Sequence, residues 1–242
     1  MNENTTPSLH MNYFPTKPVK GYLPPADPDV AYLLECLEGS HEFPNPTTLL
    51  RGLRTVDPGT YAHSQFVALG TQKALYRLGL VRYIPYGYRA ALFHDVNKPE
   101  KPNIYRSLRK KGEMTEAERM AIRNDPLRVA SLLQRIGCDD IGTYEFESRL
   151  IATTITIKKD DETPLQFDCI EPFRPGTNEF AVACVMEVVD EAVAMSETKN
   201  NGRNYRKEPM PLDEIPEIIR RQTVAPPEII DAVMELMREA LT

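Results

Sequence analysis

The stretch Ala90-Ala91-Leu92-Phe93-His94-Asp95-Val96-Asn97-Lys98 places an imidazole and a carboxylate side by side, directly after an apolar run with helical character. If the helix ends or bends there, both side chains can turn toward one ion, and a cation that neutralises the carboxylate makes its burial tolerable. The dipeptide alone is weak evidence, because a polar pair closing a helix is the simpler reading of so short a motif. Its meaning depends on what else the chain supplies.

Two further segments supply candidates. His63 lies in Thr60-Tyr61-Ala62-His63-Ser64-Gln65-Phe66-Val67-Ala68-Leu69, beside an apolar stripe at 62, 66 and 69 that recurs at helical spacing. Asp190 lies in a segment, Phe180 to Ala192, that is apolar over most of its circumference and reads as a central, buried helix. Three helices thus offer four ligands. Each residue also has a plainer reading. His63 fits a buried, hydrogen-bonded histidine. Glu187, Asp190 and Glu191 share one helical arc, as on a solvated acidic face. Lys98, followed by Pro99, fits a surface cation near a helix end.

In the order His63, His94-Asp95, Asp190, the chain resembles the HD superfamily of metal-dependent phosphohydrolases, and within it the HD-GYP branch, whose known members hydrolyse cyclic di-GMP. Lys98 falls where that branch carries a lysine four residues after the histidine of the pair. The segment from Gly112-Glu113-Met114-Thr115 to Ile136-Gly137 is similar to its next helix. Arg203-Asn204-Tyr205-Arg206-Lys207, Leu212-Asp213-Glu214-Ile215 and Pro227-Glu228-Ile229-Ile230 are similar to its C-terminal end. The resemblance runs from about residue 30 onward and implies an all-α HD-domain helical bundle.

The chain departs from that pattern at several places. Asn124-Asp125-Pro126 stands where the family has a histidine before proline, Thr153-Thr154 where it has a His-His pair, and Lys158 to Pro164 where it has Gly-Tyr-Pro. The resemblance therefore implies His63, His94, Asp95 and Asp190 as ligands of one metal, with only Asp125 left as an oxygen ligand for a second. Two imidazoles and two carboxylates suit one divalent ion per chain, such as Fe, Mn, Co, Ni or Zn. In that role Asp95 would also orient or deprotonate the activated water, and Lys98 would face a substrate phosphate. Arg203, Tyr205 and Arg206 offer guanidinium forks for phosphate and a ring to stack on a base, or else form a solvated basic loop.

Composition is that of a globular protein. A chain of 242 residues buries one sizeable core, and its formal charge of −6 argues against broad DNA binding while leaving room for a local basic pocket. Neither a long apolar span nor a basic leader with an apolar core is evident, so a cytoplasmic location off the membrane is expected. Cys36, Cys138, Cys169 and Cys184 show no paired spacing, and His10 and His41 lie in polar or turn-rich stretches outside the constellation.

Residues 1–28 are proline-rich and aperiodic, and are expected to form an extended N-terminal arm that packs on the body or mediates association; residues 29–242 are expected to form the HD-type domain. Within it, helices are expected after Asp27-Pro28-Asp29, from the capping box Thr115 to Glu118 as far as Ile136, and over Phe146 to Thr154. A short β-rich patch follows at Thr154 to Ile157, then an irregular stretch over 158–178. A last amphipathic helix starts at Pro227, with Ile230, Val233, Met234, Met237 and Leu241 inward. Two functions follow from the whole. One is a phosphodiesterase acting on a nucleotide or cyclic dinucleotide. The other is a signalling or nucleotide-binding module that keeps the fold but not turnover, with a homo-oligomer or signalling partner left open.

Overall fold

The computed structural model describes residues 46–98, Thr115, 125–137, 144–159, 170–196 and 209–241. The expected N-terminal arm, the helix after residue 29, the capping box beyond Thr115 and Arg203 to Lys207 lie outside these residues. Eight α-helices and no strand are formed among them: α1 (Pro46–Val56), α2 (Pro58–Arg77), α3 (Ile84–Phe93), α4 (Asp125–Gly137), α5 (Glu145–Ile157), α6 (Asn178–Ser196), α7 (Ile215–Gln222) and α8 (Pro227–Leu241). No described helix is long and apolar enough to cross a membrane.

Helix α6 is the axis of the molecule. Phe180, Val182, Ala183, Cys184, Val185, Met186, Val188, Val189, Ala192, Val193 and Met195 are all buried, as an all-round apolar helix requires. Its start is fixed by Thr177, whose Oγ1 accepts from the Phe180 amide at 3.1 Å. Helices α2, α3, α5, α7 and α8 pack against it, and α4 packs on α5.

Local signals set the ends of α2. Asp57 caps its N-terminus, accepting from the Thr60 amide at 3.0 Å and the Thr60 hydroxyl at 2.8 Å, and Pro58 opens the first turn. At the other end Gly79, with φ of 73°, takes the left-handed conformation while the Leu80 amide bonds back to the Leu75 carbonyl at 2.9 Å. This turn sends the chain back through a 3₁₀ turn (Val81–Tyr83) into α3, so α2 and α3 form a helical hairpin. The buried face of α2 runs through His63, Val67, Thr71 and Ala74, whereas Ala62, Phe66 and Leu69 are only partly buried. His63 is therefore on the core stripe, not beside it.

A second expectation is overturned. Thr154 to Ile157 continues helix α5 and is not β-rich. The threonines tolerate the helix because their hydroxyls bond back to it: Thr153 to the Arg149 carbonyl at 2.5 Å, Thr154 to Ile151 at 2.8 Å and Thr156 to Thr153 at 2.7 Å. Burial of Ile155 and Ile157 then outweighs the β preference of branched residues. Just past the helix, Lys158 forms an antiparallel bridge with Thr223.

Close helix approach depends on two glycines. A Cβ at Gly70 of α2 would stand 2.7 Å from Val189 Cγ1 of α6, and one at Gly87 of α3 would stand 2.6 Å from Leu75 Cδ1. Val189 is β-branched and stiff, and its neighbour in sequence is Asp190, so it has little room to yield. Gly70→Ala gains about 1 kcal/mol of helix propensity but meets an overpacking cost of about 1–3 kcal/mol. The expected net result is destabilisation together with weaker metal binding, read from the melting temperature and a metal titration. A more stable variant with unchanged binding would show that the α2–α6 spacing is not tight.

Candidate metal centre

Three helices deliver the predicted constellation to one place. His63 projects from the second turn of α2, His94 and Asp95 from the turn that ends α3, and Asp190 from α6. His63, His94 and Asp95 each offer a ligand atom within 4.8 Å of the others. Opposed ligands of a first-row ion stand roughly 4.2 Å apart, twice a metal–ligand distance, so the cluster has the dimensions of a metal site. His63 Nε2 donates to Asp190 Oδ1 at 2.7 Å, and the two imidazole rings lie 5.5 Å apart. His63 is fully buried, and the side chains of Asp95 and His94 are nearly so.

The decisive detail is at His94. Its Nδ1 donates to the Ala91 carbonyl at 2.6 Å, which fixes the ring and leaves Nε2 pointing inward. Nε2 faces Asp95 Oδ2 at 3.3 Å and Asp190 Oδ1 at 3.5 Å, yet is buried and makes no hydrogen bond to any described residue. A nitrogen lone pair facing two carboxylate oxygens is repulsive unless a positive charge lies among them. Without metal, that charge is a proton. Burial opposes it, but Asp95 and Asp190 outweigh burial and raise the His94 pKa to about 10. Asp190 is held well below the usual carboxylate range, since His94 and His63 overcome its own desolvation. The donor set fits a divalent ion.

Around this cluster stand further charges. Lys98 Nζ contacts Asp95 Oδ2. Asp125, at the start of α4, is buried and accepts from Asn97 Nδ2 at 2.9 Å; desolvation and then the Asp95 charge push its pKa up to about 6. Asp125 is thus joined through Asn97 to the segment that carries His94 and Asp95. Thr153 and Thr154 are buried with hydroxyls committed to the backbone, and Thr153 also accepts from the Phe173 amide at 2.9 Å. No second imidazole pair is found among the described residues.

The sequence reading set Glu187 on a solvated acidic arc with Asp190 and Glu191 and did not pair it with Lys158. Glu187, one turn before Asp190, is buried, and Lys158 Nζ reaches it at 3.0 Å and Glu191 at 3.4 Å. The acidic arc of α6 is therefore paired, with Glu187 buried and Asp190 and Glu191 partly buried. Burial pushes the Glu187 carboxyl up to about 7 against the pull of Lys158, and Glu187 in turn raises the Lys158 pKa. A lysine at the end of α5 gave no local signal, because the partner lies 29 residues further on.

No known protein family and no curated protein matches this sequence. Among solved structures, the crystal structure of the HD domain of the L. monocytogenes phosphodiesterase PgpH is similar, with a TM-score of 0.52 and 18% identity over 82% of this chain and 100% of that one. The fold is that of an HD domain. In this HD fold, the helical hairpin and the central helix described above carry the four residues His63, His94, Asp95 and Asp190.

Proposed function

We propose that the chain is a metal-dependent phosphohydrolase of HD type that cleaves a phosphodiester in a nucleotide or cyclic dinucleotide of the cyclic di-GMP kind. The observation that carries this reading is the buried, inward-facing His94 Nε2 without a hydrogen bond to any described residue, set among His63, Asp95 and Asp190. These four residues would hold one ion of Fe, Mn, Co, Ni or Zn. Such an ion supplies Lewis acidity toward water and toward a phosphoryl oxygen. In this reading Asp95 would orient the attacking water and take its proton, and Lys98 would meet the phosphoryl charge. Arg203, Tyr205 and Arg206 are the residues assigned to phosphate and base. The PgpH domain is itself described as a phosphodiesterase domain, which supports the reaction class.

A second reading is favoured by Thr153 and Thr154. Their hydroxyls are bound to backbone where a two-metal centre would need imidazoles, so the fold would bind a nucleotide without turning it over. The two readings separate in one assay of metal-loaded protein against cyclic di-GMP and bis(p-nitrophenyl) phosphate, with and without EDTA. Turnover abolished by the chelator is expected. Metal-loaded protein that binds the dinucleotide but leaves both esters intact would establish the binding module.

A further inference from the structure

We propose that Lys158 stands at the mouth of the centre and binds the second phosphate of a cyclic dinucleotide, the one that is not being cleaved. The inference rests on the phosphodiesterase reading above and deepens it to substrate class. Of the four candidate ligands, His63, His94 and Asp95 are buried or nearly so, whereas 28% of the Asp190 side chain is exposed. The open side of the centre is therefore the α6 side. Glu187, Asp190 and Glu191 lie on one arc of that helix, at positions i, i+3 and i+4. Lys158 Nζ stands 3.0 Å from Glu187 Oε1 and 3.4 Å from Glu191 Oε1, so its ammonium shares the face that carries Asp190. Its side chain is 42% exposed and open to a ligand.

Lys158 is held from both ends. Its backbone pairs with Thr223, flanked by bonds from the Lys159 amide to the Gln222 carbonyl at 2.7 Å and from the Val224 amide to the Ile157 carbonyl at 2.8 Å. The two glutamates fix the other end of a side chain that otherwise has much rotamer freedom to lose on binding. An ammonium has three donors, so two carboxylate contacts leave at least one for a phosphate oxygen. A glutamate that braces a phosphate-binding lysine is the arrangement protein kinases use. The charge matters for approach as well, because without it an anionic substrate would meet Glu187 and Glu191 uncompensated beside Asp190. A cyclic dinucleotide carries two phosphodiester charges. With one at the ion, the other is left toward the open side, where Lys158 stands.

The test compares steady-state kinetics of the Mn²⁺-loaded full chain on cyclic di-GMP, with two phosphodiesters, and on bis(p-nitrophenyl) phosphate, with one. Lys158→Met, which keeps the aliphatic stem, is expected to raise KM for cyclic di-GMP about 10-fold, the loss of one charge-assisted hydrogen bond, with kcat little changed. KM for the single diester should move far less, and Lys158→Arg should restore most of the difference. If the methionine leaves Glu187 as an unpaired buried charge and impairs folding, Lys158→Met with Glu187→Gln gives the same comparison, with circular dichroism as the folding control. A folded variant whose KM is unchanged, or changed equally for both esters, overturns this inference and leaves the phosphodiesterase reading standing. So does a wild type that cleaves the single diester but neither cleaves nor binds cyclic di-GMP. A wild type that binds cyclic di-GMP without turnover overturns the phosphodiesterase reading alone, and calorimetry should then show the same 10-fold weakening in Lys158→Met. A wild type that neither cleaves nor binds either ester overturns both.

Discussion

His94→Ala is expected to strip the centre of metal and to lower phosphodiester turnover by at least about 100-fold, the upper end of what loss of a mere supporting contact to a metal ligand costs. The expectation follows from how His94 is held. Its Nδ1 is already spent on the Ala91 carbonyl, so Nε2 is the only ring atom aimed at the cluster, and no described neighbour can replace it. The remaining charges keep partners: Asp190 retains His63 at 2.7 Å and Asp95 retains Lys98. His94 also follows the last residue of α3, where a side chain can be cut back without breaking the helix. Far-ultraviolet circular dichroism should therefore be unchanged while metal content drops. Metal retained at the wild-type level would mean that the ion, if any, is bound elsewhere.

Metal-free protein is expected to lose stability as pH rises from about 6.5 to 10, and protein saturated with Mn²⁺ is expected not to. The folded His94 pKa of about 10 lies above its ordinary value of 6.5. Within that window the native state holds a proton that the unfolded chain has released, so rising pH favours unfolding. The stabilisation is complete below 6.5 and gone above 10. Each unit is worth about 1.4 kcal/mol, so the loss is on the order of a few kcal/mol and the melting temperature falls by on the order of 10 °C. The same interaction viewed from Asp190 acts at the acid end: its depressed pKa gives stability that is lost as pH falls below the usual carboxylate value of 3.8. A bound ion requires neutral His94, so binding releases the proton and affinity climbs with pH across the same window. Melting curves at pH 7 and 9.5, with and without Mn²⁺, check both statements. A metal-free melting temperature that is flat between them would contradict the charge arrangement at His94.

Much of this candidate site was legible in the sequence because His94, Asp95 and Asp190 sit on or beside strongly patterned helices. An all-round apolar run identified α6 as central, and the apolar run before His94 placed the pair at a helix end, where α3 does stop. The stripe on α2 was misjudged by one residue because Ala62, Phe66 and Leu69 are apolar, whereas the face actually buried carries His63, Ser64 and Thr71. Polar residues on a buried face defeat a reading based on hydrophobicity alone. Thr154 to Ile157 misled for a related reason, since side-chain bonds to helix carbonyls are invisible to propensity. The pairing of Lys158 with Glu187 and the Asn97–Asp125 contact join segments far apart in sequence, and only the packed fold reveals them.

The most direct test of the account is the metal content per chain of wild-type protein purified without added metal and measured beside His94→Ala from the same preparation. The account predicts close to one first-row divalent ion in the wild type and none in the variant. Equal metal in the two, or none in the wild type even after loading with Mn²⁺ or Fe²⁺, would contradict it.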